Sequence, residues 1–169
     1  MNSGALVSIP VGVVVERHKA TSKWLDFVWR PASVLTGVPS AAPWTPLGPV
    51  AADKTLFYGG TATIDLHRTE TSNYRDNLQS GSPQLWVVLR PTGSEPPYEV
   101  LAVTADPAEG EAFTEAGNDL VETVPMPGPI VQTLEAFVAE HHVERPFFKR
   151  QRDQQQPRRG RKGRPESET

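Results

Sequence analysis

The residues best equipped for chemistry stand together at His67, Arg68 and Glu70: a base, a fixed cation and an acid within four positions. Such clusters occur in active sites, where imidazole and carboxylate carry general acid–base work. A reaction also needs a frame, and the chain contains no Gly-x-Ser-x-Gly, no His-Glu-x-x-His and no phosphate loop. Gly59-Gly60 alone does not make one. Two other readings account for the same residues. One is an ion-paired strand end; the other is a polar docking patch completed by Tyr74 and Arg75. A small enzyme or anion sensor built on His67, Arg68 and Glu70 would need a concave pocket and a perturbed histidine there.

His141-His142 closes an amphipathic segment. Adjacent helical residues point about 100° apart, so the pair chelates poorly; metal ligands on a helix want spacing i, i+4. Cationic groups near a helix C-terminus are instead favoured by its dipole. Arg17-His18-Lys19 with Lys23 marks a basic hairpin tip, able to meet an anion or simply solvated. The most basic stretch lies at the end: Lys149, Arg150, Arg152, Arg158, Arg159, Arg161, Lys162 and Arg164, spaced by Gln, Gly and Pro. Such a stretch serves solubility, or makes salt-sensitive contact with nucleic acid or an acidic protein. Arginine-rich disordered segments can also fold on binding RNA.

These groups need elements to hold them. Residues 10–17 place Val11, Val13 and Val15 on one face, and residues 24–30 place Leu25, Phe27 and Trp29 on one face. Period-2 alternation rich in β-branched and aromatic residues predicts two half-buried strands. The polar link 18–23 allows antiparallel pairing, and the hairpin is expected in the middle of a sheet, with Pro10 and Pro31 near strand ends. Burying Phe27, Trp29 and the valines would contribute roughly 1.5–3 kcal/mol per side chain before entropy is subtracted. Residues 32–54, with Pro39, Pro43, Pro46 and Pro49 and with Trp44 and Leu47 as anchors, predict a long loop, either a packed cover or a lid. Residues 56–67 resume strand character, with a bend or bulge at Gly59-Gly60. Glu70, Tyr74 and Leu78 fall at i, i+4, i+8 in a short helical turn over 69–78. Residues 83–91 read as a central strand covered on both faces, and 98–104 as its hairpin partner. Asp106, Pro107 and Glu109 mark a helix start, and Gly117-Asn118 its stop. Residues 120–126 form a last strand. Over 130–142 a helix aligns Ile130, Leu134, Phe137, Val138 and His141.

Composition narrows the classes. At 169 residues the chain suits one domain. It contains no cysteine, which excludes disulfides, thiolate metal sites and a cysteine nucleophile. It has no run of 18 apolar residues, so no membrane span is expected. The start Met-Asn-Ser-Gly-Ala-Leu lacks a basic n-region, so no secretory signal is expected and a cytoplasmic location is the default. Charge is uneven: residues 1–148 carry 9 Lys+Arg against 17 Asp+Glu, and residues 149–169 carry 8 against 3. An acidic body thus precedes a basic tail. The tail lacks apolar residues other than proline and is expected to be disordered.

Several stretches together resemble a bacterial conserved domain family of unknown function. They are residues 9–17 (Ile-Pro-Val-Gly-Val-Val-Val-Glu-Arg), Trp29-Arg30-Pro31, Leu66-His67-Arg68-x-Glu70 and Tyr74-Arg75-x-Asn77-Leu78. Val87-Val88-Leu89-Arg90, Val124-Pro125-Met126-Pro127 and His141-His142-Val143-Glu144-x-Pro146-Phe147 complete the set, which spans about residues 6–152. Members of that family are typically encoded beside formate dehydrogenase subunits, a small ferredoxin-like protein and a chaperone for molybdenum enzymes. The resemblance implies an accessory role in making or regulating a molybdopterin oxidoreductase, and it brings no catalytic residues.

The expectations are therefore an α+β domain over 1–148, with a mostly antiparallel sheet of about six strands and two main helices, and a disordered tail over 149–169. The function expected is a non-catalytic, protein-binding accessory factor for a molybdopterin-dependent formate dehydrogenase, without cofactor or metal. Its partner would be a molybdoenzyme subunit or its chaperone, docked on His67, Arg68, Glu70, Tyr74 and Arg75. Nucleic-acid association through the basic tail is the alternative.

Overall fold

Val11, Val13 and Val15 share one face, and that face is fully buried. They lie on β1 (Val7–Lys19), which pairs antiparallel with β2 (Phe27–Thr36) on one side and β4 (Lys54–Leu66) on the other. The computed structural model describes residues 4–21 and 26–143. Leu25 and the expected tail 149–169 lie outside them. A fourth strand, β3 (Thr45–Ala51), completes the order β2-β1-β4-β3. The hairpin is present, but β1 alone is central and β2 is an edge.

That edge position explains two departures. Pro31 stands inside β2, not near its end, where the register with β1 slips between Val14 and Val15. A residue without an N–H is tolerated at a bulge on an edge strand. Phe27 is 38% exposed and does not enter the core. Its ring instead supports the Arg17 guanidinium at 4.2 Å, a cation–π contact at the end of the sheet.

The expected loop over 32–54 is shorter than its prolines suggest, because β2 runs on to Thr36 and β3 occupies Thr45–Ala51. Pro46 and Pro49 sit on the outermost strand, where a missing donor is harmless, and the β3–β4 register slips beside each of them. Between the strands the chain crosses the outer face of the sheet: a Cβ on Gly12 would lie 3.0 Å from Pro39. Trp44 anchors this crossing, edge-on to Trp29 at 5.7 Å. The bend at Gly59-Gly60 is a β-bulge, with Val13 opposite Gly60 and Val14 opposite Tyr58. Gly60 has φ +134°, which only glycine adopts readily, and a Cβ on Gly59 would stand 2.8 Å from Val15.

The second half builds its own sheet. β5 (Gln84–Pro91) runs between β6 (Tyr98–Thr104) and β7 (Leu120–Pro125), all antiparallel. Leu85, Val87, Val88 and Leu89 are fully buried, as expected of a strand covered on both faces. Thus seven described strands form two sheets, where one sheet of about six was expected. The reason is burial. A single sheet would leave the β1 valines and the β5 leucines each in need of a cover, and two facing sheets cover one another. Along β2/β7 and β4/β6 the sheets lie against each other, with no ladder joining them among the described residues.

The short helical turn expected over 69–78 is a helix, α1 (Thr71–Leu78), preceded by a 3-10 turn at Arg68–Glu70, and it packs on this frame with the two expected main helices, α2 (Pro107–Ala116) and α3 (Gly128–His141). Asp106 caps α2 by accepting from the Ala108 N–H at 2.9 Å, and Gly117 ends it with φ +84°. Ile130, Leu134 and Phe137 of α3 are buried, and Phe137 meets the Tyr74 ring of α1 at 6.0 Å. One apolar cluster runs through both sheets and these two helices.

Candidate functional site

β4 ends at Leu66, and the next residues turn directly into α1, so His67, Arg68, Glu70, Tyr74 and Arg75 fall within about three helical turns. Their side chains do not form one surface. Tyr74 is 1% exposed. Its hydroxyl accepts from the His67 backbone N–H at 2.9 Å, so Tyr74 ties the turn to the helix from within.

The other four divide between two main hollows, although His67 and Arg68 also meet with Thr69 at a smaller one beside Gly4 and Leu6. On one side, Arg68 and Arg75 line a cleft of about 450 Å³ with Thr69, Thr71, Ser72, His141, His142 and Val143. Thr71 Oγ1 and His142 Nδ1 lie 3.0 Å apart, which joins the start of α1 to the end of α3. His141 packs on the Phe137 ring at 4.6 Å. On the other side, His67 and Glu70 line a second hollow with Thr69, Tyr74, Asp106, Ala108 and Glu109. Polar bonds make that wall rigid. Asn73 Nδ2 donates to Glu70 Oε1 at 3.2 Å and to Asp106 Oδ1 at 3.1 Å. Thr104 Oγ1 donates to Glu109 Oε1 at 2.6 Å and accepts from the Asp106 N–H at 3.0 Å.

The helix therefore separates a basic cleft from an acidic hollow, with His67 bordering the acidic one. Sequence reasoning found the basic pair Arg68 and Arg75 but not its companions His141 and His142, which come from 66 or more positions away. A signal for the pair itself existed: Arg68, Thr71 or Ser72, and Arg75 fall at i, i+3/i+4, i+7, one face of a helix. Asp106 and Glu109 are helix-start residues by pattern, and the same two carboxyls wall the acidic hollow. No group of three or more His, Asp or Glu is placed to hold a metal ion among the described residues. The basic residues from Lys149 to Arg164 fall outside the described part.

The acidic side leaves a mark on Tyr74. Burial, together with the nearby Asp106, Glu70 and Glu109 carboxylates, pushes its phenol from 10.0 up to about 12, against the His67 N–H bond, which acts the other way. Because the folded value lies above the unfolded one, the stabilisation is complete below pH 10 and is lost as pH rises towards 12. Its size is at most about 3 kcal/mol. Tyr74→Phe is expected to flatten this alkaline arm, as measured by urea unfolding from neutral pH to the alkaline limit.

The fold and these hollows define a mixed α+β domain with a charge-sorted surface at a strand-to-helix junction. Over residues 10–152 the sequence matches the family described as "Protein of unknown function (DUF3305)", and the chain belongs to that family. Comparison with curated proteins and with solved structures gave no match. No described helix is long and apolar enough to cross a membrane.

Proposed function

We propose that this protein is a non-catalytic accessory factor that binds a protein partner in the maturation or regulation of a molybdopterin-dependent formate dehydrogenase. The observation that carries the binding role is the sorting of charge about α1. Arg68 and Arg75 open to one side, and Glu70, Asp106 and Glu109 to the other. Adjacent patches of opposite sign fix the orientation of a partner and steer its approach more than they add affinity. Arg68 and Arg75 belong to the basic side and His67 and Glu70 to the acidic one, and buried Tyr74 ties the turn between them to the helix. The choice of a molybdoenzyme system rests on the sequence stretches described above and on the genes that accompany the family they resemble.

His67 enters the fold through its backbone N–H, so replacing its side chain alters the face with little effect on the turn. The variant His67→Ala plus Arg68→Ala is expected to lower formate dehydrogenase activity in cells several-fold at unchanged levels of this protein. Undiminished activity would remove the assignment. A nuclease-treated pull-down with the full chain and with a form ending at Phe148 places the contact. Capture of molybdoenzyme subunits or their chaperone by both forms supports the folded face. Capture by the full chain alone, lost on nuclease treatment, would move the function to the basic residues from Lys149 on.

A further inference from the structure

The cleft between α1 and the end of α3 has an unusual lining for this chain. Two arginines (Arg68 and Arg75), two histidines (His141 and His142) and three hydroxyl residues (Thr69, Thr71 and Ser72) line it, and among the described residues no carboxylate does. Residues 1–148 carry 17 acids against 9 bases, so this is a positive concavity in an acidic body. The carboxylate of Glu140 lies 3.8 Å from His141 Nε2 but is 75% exposed and outside the cleft lining.

Guanidinium, imidazole and hydroxyl groups can all donate, which selects a ligand made of acceptors. A carboxylate offers two oxygens and one charge. A phosphoryl group offers three oxygens and close to two charges, and suits donors arriving from two elements. The volume, about 450 Å³, exceeds what the anion alone would fill and leaves room for the group that carries it. We propose that this cleft binds a phosphoryl oxyanion borne on a small molecule, clamped between Arg68 and Arg75, with Ser72 as a further donor. The site shares two arginines with the docking face proposed above but needs no protein partner. Anion binding by the purified chain can therefore fail while partner capture succeeds, and the reverse.

The test is calorimetric titration of the purified full chain with pyrophosphate, with acetate as the carboxylate comparison. One saturable site is expected, at least about tenfold tighter for pyrophosphate than for acetate. Arg68→Ala, an exposed change that leaves the fold intact, should weaken it about tenfold or more. Arg75 is half-buried, so Arg75→Lys accompanies Arg75→Ala: it keeps the charge, loses the bidentate fork and should bind with intermediate affinity. Arg158→Ala plus Arg159→Ala should leave the saturable component unchanged. Binding that survives Arg68→Ala, binding lost equally on changing Arg158 and Arg159, or equal affinity for acetate would each overturn the proposal.

Discussion

Asn77→Ala is expected to destabilise the fold by about 3–5 kcal/mol. Asn77 is 4% exposed and spends its whole side chain on backbone. Its Nδ2 donates to Gln84 O at 2.8 Å and to Ala105 O at 3.0 Å, and its Oδ1 accepts from the Gln84 N–H at 3.1 Å. One amide thus joins the last turn of α1 to the first residue of β5 and to the strand-to-helix corner after β6. Alanine would leave three backbone groups without partners in a site that water reaches poorly, at roughly 1–3 kcal/mol for each that stays dry. Urea unfolding monitored by tryptophan fluorescence reads the loss directly. A change below about 1 kcal/mol would mean that water or a shifted turn replaces the amide.

Gly110→Ala follows, with an expected net cost of about 3 kcal/mol, at the upper end for overpacking. In most helix interiors this exchange stabilises by about 1 kcal/mol, since alanine is the better helix former. Here the added methyl would lie 2.3 Å from Cδ1 and Cγ of Trp86, so the ring or the whole of α2 must move. The glycine is the hole into which the indole fits. Shaving the ring should therefore rescue the variant: Gly110→Ala with Trp86→Ala should lose at least about 1 kcal/mol less than the two single losses together. Strict additivity in thermal unfolding would show that the helix yields instead of the ring.

Where local chemistry decided the structure, the sequence was readable. The β1 valines, the Asp106 cap, the Gly117 stop and the Gly59-Gly60 bulge each follow from a few neighbouring residues. β3 was not readable, because its prolines argue against a strand until its place at the sheet margin is known. The division into two sheets was equally hidden, since alternation reports which face is buried and not what buries it. At the candidate site, helical spacing aligned Glu70, Tyr74 and Leu78 but could not say that this line turns inward at Tyr74. Nor could it bring His141 and His142 beside Arg68 and Arg75, because the packing of α3 on α1 makes that neighbourhood.

The two unladdered lines where the sheets meet have a consequence for how the chain divides. Every ladder of the first sheet lies within residues 7–66 and every ladder of the second within 84–125. A nick at Gly81, an exposed turn with φ +89°, would cut no strand away from its ladder partners. The two pieces would each carry one wall of a shared interior: the β1 valines on one, the β5 leucines on the other. Their rejoining would be recognition between two apolar faces, keyed by Asn77 reaching across the cut to Gln84. In that sense the protein is a complex of two halves that happen to be covalently joined.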